Sequence, residues 1–426
     1  MSIGPAPDLA RHVTDLLDEL LAAFRIVILH GARQVGKTTI VRSAVAHSGG
    51  SAIDLDDPLL LDAVRADPGG VLVGLRRPVF VDEFQRGGPA LVLAVKQAVD
   101  RDRRRGQFVL TGSADHLAAQ HHVDTLAGRN VRLTVWPFSQ GELRGRRERF
   151  IELAFASPGA VLDLPTEPLD RSGLVSLVVR GGYPEIVLGD LSTAMRQRWV
   201  ASYVADCTDR EALRGVAEIG KTDELRQVFA TLAARSASEL VLQGVKSALG
   251  ERGAALDHRT LVQFLDLLEA LHLIHRVPAW STNRTSRARK HAKVHLTDAG
   301  IAAGVLRIDA DALAGDGADR LLGPLVETFV VDEIAKQCSW QDRSLSLHHL
   351  RNDRHEVDLI IEDDAGKLVA IEIKAGPVQS HHAADLAWLR DLHPSRFVAG
   401  FVLHGGTNRL PLGDRIWAVP IPTMWA

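Results

Sequence analysis

The stretch RIVILHGARQVGKTT, residues 25–39, decides how this chain is read. Arg25–Leu29 is a short apolar run of the kind that forms a buried strand. It leads into Gly31-Ala32-Arg33-Gln34-Val35-Gly36-Lys37-Thr38, which satisfies the pattern G-x-x-x-x-G-K-[ST] in full. A helix is expected from Thr39 onward. The residue types follow from the chemistry. Glycines let successive backbone N–H groups turn toward a phosphate, and the following helix N-terminus adds a favourable dipole. Lys37 is placed to contact the β- and γ-phosphates, and Thr38 to ligate Mg²⁺. Gly31–Thr38, with Thr39 beside it, is therefore the candidate ATP-binding loop.

Working outward, Val79-Phe80-Val81-Asp82-Glu83 is an apolar strand ending in two carboxylates. Downstream of a phosphate loop, that arrangement has Asp82 holding Mg²⁺ through water and Glu83 polarising the attacking water. A further strand ends in Thr111-Gly112-Ser113. Thr111 and Ser113 are candidates to sense the γ-phosphate, with a plain strand-end turn as the alternative. Arg129, in Leu126-Ala127-Gly128-Arg129, precedes another strand. It is either an arginine finger reaching a neighbouring subunit's ATP or a surface arginine at a helix end. A finger calls for assembly, so a homo-oligomer is expected, with a hexameric ring as the candidate form.

The 426 residues suggest two to four domains. A composition of 46% apolar and 24% charged residues is that of a globular protein rather than a disordered one. The net charge of -3 confines any nucleic-acid affinity to local basic surface. Cys207 and Cys338 match no metal or redox spacing, so reduced thiols and a cytoplasmic location are expected. No signal-like segment or membrane-length apolar run is visible, and no membrane partner is expected.

Residues 1–145 alternate apolar strands (Arg25–Leu29, Pro78–Val81, Gln107–Leu110, Val131–Val135) with helical stretches, which predicts an α/β parallel sheet with crossover helices. Residues 146–220 are mainly helical, broken at Gly181-Gly182-Tyr183-Pro184. Residues 221–305 carry helix-period leucines and then two strands, Leu271–Val277 and Lys293–Leu296, in winged-helix order. Residues 306–426 open with a helix around Pro324–Gln337. Strands follow at Ser346–Leu350, Glu356–Glu362, Lys367–Lys374 and Phe397–Leu403.

A second chemical centre is expected there. Glu356–Glu362 and Lys367–Lys374 form a hairpin whose turn contains Gly366, free to adopt positive φ. A turn centred on Ala365 sets Asp358 opposite Glu372, and alternation puts Lys374 on the same face as Glu372. This D…E-x-K constellation is that of metal-dependent nucleases. Asp358 and Glu372 would hold Mg²⁺, Glu327 on the preceding helix would add a carboxylate, and Lys374 would act on the nucleophilic water or the phosphate. The plain alternative is a half-exposed hairpin with its charges outward. Arg276, Arg284, Arg287, Arg289, Lys290 and Lys293 lie between or within the two strands before it. They read as a basic wing for DNA phosphates or as a solvated loop.

Taken with Pro137–Leu143 (PFSQGEL), Gly181–Glu185 (GGYPE) and Gly323–Phe329 (GPLVETF), these motifs span nearly the whole chain. The chain resembles the bacterial and archaeal AAA+ ATPases that carry a C-terminal domain related to PD-(D/E)xK nucleases. The resemblance implies an AAA+ core (1–145), a helical lid (146–220), a winged helix (221–305) and a restriction-endonuclease-like domain (306–426). It further implies an ATPase associated with DNA. The rival expectation is a nucleotide-switched regulator that grips DNA or protein and cuts nothing.

Overall fold

The computed structural model describes residues 9–112, 126–209, 222–251, 256–282, 290–315 and 318–426. The chain divides into two compact units. One comprises Met1–Phe138, Ala205–Thr222 and Asp266–His272. The other comprises Ser139–Val204, Asp223–Leu265 and Leu273–Ala426.

The first unit is built on five strands: β1 (Ile26–His30), β2 (Ser51–Asp54), β3 (Val79–Asp82), β4 (Phe108–Thr111) and β5 (Asn130–Thr134). Their order is β2-β3-β4-β1-β5, and neighbouring strands pair in parallel. Sheets of this type are covered on both faces, so their strands are apolar throughout. Ile26–Leu29, Val79–Val81 and Phe108–Leu110 are accordingly buried. One face packs Ile26, Ile28, Val79, Val81, Phe108 and Leu110 against Leu91, Val95 and Val99 of the helix Gly88–Arg101. Because the strands run in parallel, the ends of β1, β3 and β4 share one edge. Ligands of open α/β sheets bind at that carboxyl edge.

The second unit holds two sheets. A small antiparallel one, ordered β6-β8-β7, contains β6 (Ser238–Glu239), β7 (Ile274–Val277) and β8 (Lys293–Leu296). The larger one has six strands: β9 (Leu345–Arg351), β10 (Glu356–Asp363), β11 (Leu368–Lys374), β12 (Phe397–His404), β13 (Leu410–Gly413) and β14 (Ile416–Pro420). Its order is β13-β14-β12-β11-β10-β9. Pairing is antiparallel from β9 to β11, parallel across β11-β12 and β12-β14, and antiparallel at β13. The helix Ala384–Leu392 makes the crossover from β11 to β12 and covers one face through Leu386 and Leu389.

The helix Asp319–Ser339 runs through the interior of this unit, and Asp332, Glu333, Lys336 and Gln337 are buried with its apolar residues. Each has a partner. Glu333 accepts the backbone N–H of Gln140 at 2.7 Å and pairs with Lys336 at 2.6 Å. Asp332 meets His275 at 3.0 Å, and Gln337 donates to the Met424 carbonyl at 2.7 Å. Burial pushes Glu333 up to about 7, with Lys336 opposing it, and Asp332 up to about 6, with His275 opposing it. The PFSQGEL segment is thus a turn held by carboxylates: Glu142 accepts from the Ser139 N–H and Glu333 from the Gln140 N–H.

The Gly181-Gly182 break is equally structural. Asp298 caps the helix Ala299–Val305 at the Ile301 N–H (3.0 Å) and also accepts from the Gly182 N–H (2.7 Å). Gly181 has φ +68°, and a Cβ there would lie 2.1 Å from the Asp298 carboxylate. Asp298→Ala removes the acceptor from two backbone donors where buried Asp298 now stands. Losing the cap and stranding a buried N–H should destabilise the chain by about 2–4 kcal/mol. Urea unfolding measures this, and a loss below about 0.5 kcal/mol would show that other acceptors serve these groups.

Candidate functional site

The loop between β1 and the helix Lys37–Ser48 has the backbone its glycines imply. Gly31 adopts φ +150°, and a Cβ there would lie 2.1 Å from the Val135 carbonyl oxygen, so no side chain fits. Gly36, at φ +96°, immediately precedes the helix, whose first turn carries no acidic residue. That end of the helix is open to an anion. Gln34 also lies at positive φ (61°). Thr38 is half-buried, and Arg33 donates to the Asp206 carbonyl at 3.3 Å.

Lys37 is buried, and its ammonium donates to the carbonyls of Gly31 (3.0 Å) and Ala32 (2.7 Å) within its own loop. Burial lowers its pKa to about 8, against the opposing influence of Glu83 and Asp82. Carbonyl dipoles compensate the lost hydration of an ammonium only in part. An anionic phosphate would complete the compensation.

Arg11, which the sequence did not single out, braces this loop. Its guanidinium donates to the Val35 carbonyl at 2.8 Å and the Trp136 carbonyl at 2.6 Å, and lies 4.5 Å from the Phe138 ring centre. No local motif marks an arginine that acts 24 and 125 residues away.

The acidic pair stands at the end of β3, one strand beyond β4 from the loop. Asp82 is buried and accepts hydrogen bonds from the Thr111 hydroxyl at the end of β4 and from the Glu83 N–H (3.1 Å). Glu83 sits at φ +50°, and its carboxylate accepts from the Gln85 side-chain amide. Lys37, Asp82, Glu83 and Thr111 therefore gather along one sheet edge. Thr39 is exposed on the first turn of the loop helix. Ser113 lies outside the described residues. Arg129 makes a two-pronged ion pair with Asp100 of its own chain, at 2.6 and 3.0 Å.

In the second unit, the β10–β11 register pairs Leu359 with Ile371 and Ile360 with Ala370, which sets Asp358 against Glu372 one step further. Gly366 takes φ +73° in the turn. Lys374 bonds Glu372 at 2.5 Å and stands 4.0 Å from Asp358, while Asp358 also accepts the Ile373 N–H at 2.9 Å. Burial raises the pKa of Glu372, and the neighbouring Asp358 raises it further. Asp385, within electrostatic range of Glu372, pairs with His355 at 2.7 Å, and His355 stacks on Trp388 at 4.0 Å.

Lys293 departs from its expected place. It is not part of a surface wing. It is 1% exposed, and its ammonium lies 2.8 Å from Glu327, 3.1 Å from Glu356 and 3.4 Å from Asp358. Burial works against its charge, yet Asp358, Glu327 and Glu356 outweigh burial and raise its pKa. Among the described residues, no three His, Cys, Asp or Glu side chains come together in a way that could hold a metal ion. The donor set as folded does not fit a resident metal, because an ammonium stands among the carboxylates. Of the remaining basic residues, Arg284, Arg287 and Arg289 lie outside the described residues.

Comparison with known proteins agrees with the first unit's architecture. Residues 23–144 match the model of an AAA domain. Residues 171–312 and 322–424 each match a domain of unknown function (DUF8612 and DUF4143). The uncharacterized proteins Mb2031c of Mycobacterium bovis and Rv2008c of Mycobacterium tuberculosis are each 27% identical over 399 residues, covering 93% of this chain and 80% of theirs. Among solved structures, the Walker-type ATPase PABY2304 of Pyrococcus abyssi is 16% identical, with 69% of this chain and 94% of that one covered, at a TM-score of 0.42. The RuvB Holliday junction branch migration motor of Thermotoga maritima is 19% identical, with 62% and 89% covered, at 0.28. The AAA-domain match and the five-stranded parallel sheet support an AAA-type P-loop ATPase. Among the described residues, no helix is long and apolar enough to cross a membrane.

Two substitutions separate binding from turnover. Lys37→Ala should weaken ATP binding at least about tenfold, since it removes a charge-assisted contact worth roughly 1.5–3 kcal/mol. Glu83→Gln should keep the affinity and lose turnover. Calorimetry and phosphate release read the two effects, and wild-type turnover by Glu83→Gln would remove Glu83 from its role.

Proposed function

We propose that this chain is an ATP-hydrolysing AAA+ protein that acts on DNA, its C-terminal domain being a nuclease-like module. The observation that carries the ATPase reading is the shared edge of β1, β3 and β4. It sets the buried Lys37 ammonium, the Asp82–Thr111 pair and Glu83 around a loop of open backbone amides. In this reading Lys37 and the loop N–H groups grip the β- and γ-phosphates of ATP. Thr38 and Asp82 hold Mg²⁺, which neutralises phosphate charge when nucleotide is bound. Glu83, released from Gln85, orients and polarises the attacking water. Thr111 senses the γ-phosphate in this reading, and Ser113, outside the described residues, is the other candidate. Arg129 acts on a neighbouring subunit's ATP once it leaves Asp100, which makes a homo-oligomer part of the proposal.

The domain assignment of the rest belongs to the same reading. Residues 146–220 form the helical lid. The order helix Thr222–Ala234, β6, helices Leu242–Gly250 and His258–Ala270, then the β7–β8 ribbon supports a winged helix. The mixed sheet of residues 306–426, with Asp358, Glu372 and Lys374 at the β10–β11 pair, supports a restriction-endonuclease-like domain. DNA phosphates are the proposed partner of its surroundings.

A second reading has a specific observation behind it. With the Lys293 ammonium among Glu327, Glu356 and Asp358, the C-terminal domain grips DNA or a protein under nucleotide control without cutting it.

Measurement of ATP turnover with single-stranded, duplex and branched DNA at low salt tests the proposal. Turnover should rise several-fold with at least one DNA and fall back as salt displaces the phosphate contacts. No response to any of the three removes DNA from the reading. Cleavage that Asp358→Asn abolishes would favour the nuclease, and binding without cleavage the switch.

Mixing experiments test assembly. Arg129→Ala and Lys37→Ala proteins, each inactive alone, should regain part of the wild-type turnover together. Normal turnover by Arg129→Ala alone would eliminate the finger.

A further inference from the structure

We propose that Lys293 is a latch on the C-terminal centre. Its ammonium is the resident cation among Glu327, Glu356 and Asp358, and a divalent ion can enter only after Lys293 has left. The inference rests on the nuclease-like reading of the C-terminal domain, in which Asp358, Glu372 and Glu327 would accept a divalent cation only with the ammonium gone.

The geometry is that of an ammonium site. A lysine head carries three N–H donors and no acceptor. Three carboxylates surround this one at 2.8, 3.1 and 3.4 Å. Mg²⁺ and Ca²⁺ need oxygens at about 2.0–2.6 Å, so the same carboxylates would have to close in around a smaller ion. The lysine cannot simply swing aside into water, because it is 1% exposed and anchored in a strand. On β8 it pairs with Val277 of β7 and Glu239 of β6, and His295, two residues on, points at Thr328 beside Glu327. Lys293 and His295 therefore lay one face of β8 along the helix Asp319–Ser339.

Charge points the same way. Glu327, Glu356, Asp358 and Glu372 outnumber the cations that face them, the Lys293 and Lys374 ammoniums and the half-exposed Arg351 guanidinium 3.7 Å from Glu356. Removing Lys293 would leave this surplus uncompensated, which is the condition under which a divalent cation binds well. Because Lys293 lies on β8 and its carboxylates lie on the helix and on β10, any movement of β8 that withdraws the ammonium exposes the centre.

The test is Mn²⁺ titration of the full-length, nucleotide-free chain, with free Mn²⁺ read by electron paramagnetic resonance. Wild type should take up no Mn²⁺ that depends on Asp358. Lys293→Gln, close to lysine in length but uncharged, should gain one site per chain, and Lys293→Gln with Asp358→Asn should lose it. Lys293→Arg should stay silent. Lys293→Gln should also melt lower than wild type and regain Tm with Mn²⁺.

Mn²⁺ uptake by wild type that disappears in Asp358→Asn would overturn the latch while leaving the cation centre standing. A folded Lys293→Gln that takes no Mn²⁺ would overturn the latch together with the cation-centre reading. If Lys293→Gln does not fold, Lys293→Met, which keeps the length of the stem without the charge, carries the same test: an Asp358-dependent Mn²⁺ site gained by that variant upholds the latch, and no gain overturns it.

Discussion

An ammonium taken out of water must be surrounded by oxygen, and the kind of oxygen decides what it can still do. Two buried lysines of this chain show the contrast. Lys37 is wrapped by the carbonyls of Gly31 and Ala32, neutral dipoles that leave it short of compensation, and burial takes its pKa down to about 8. Lys293 is wrapped by Glu327, Glu356 and Asp358, and its pKa rises despite burial. The first lysine is set to welcome an anion. The second already has more negative charge around it than it needs.

The rest of each unit makes these surroundings possible. In the first unit, parallel pairing brings the ends of β1, β3 and β4 to one edge, so residues 31–38, 82–83 and 111 meet without any being near the others in sequence. Gly31 is held against the Val135 carbonyl and Arg11 ties the Val35 carbonyl, which fixes where the loop's own carbonyls point. In the second unit, the helix Asp319–Ser339 turns four of its charges inward. Glu327, Asp332, Glu333 and Lys336 each answer a group from another element or from the same helix. A helix polar on its buried face is costly unless every group is paired, and that pairing ties the Ser139–Glu142 turn, β7, β8 and the chain's last residues to one element.

Much of this organisation is legible from local pattern. Apolar runs place β1, β3, β4 and β5 to within about a residue, since buried parallel strands have little else to distinguish them. Ser51–Asp54 is missed because only Ala52 and Ile53 are apolar, and Leu410–Gly413 because Pro411 and Gly413 read as a turn. The meeting of Asp358 and Glu372 follows from hairpin arithmetic, since the short turn sets the register. The motifs at 137–143 and 181–185 are visible as motifs, yet their work is to feed backbone N–H groups to Glu142, Glu333 and Asp298.

What the sequence by itself determined is whatever is complete within one segment: the loop of residues 31–38, the carboxylates ending β3, and the hairpin that sets Asp358 beside Glu372. Backbone geometry and residue type are enough for these, because the interacting groups lie within a few residues or across a single turn. What only the tertiary structure decided is the partner of each charge. Lys293 looks like one more base in a basic run, and its counter-ions stand 34 and 65 residues further on. Arg129 finds Asp100, and Arg11 finds a carbonyl on the far side of a strand and a loop. A charge is attracted by whatever the fold brings near it. Spacing along the chain cannot record that, because the energy of a buried charge is set by distance and dielectric in space.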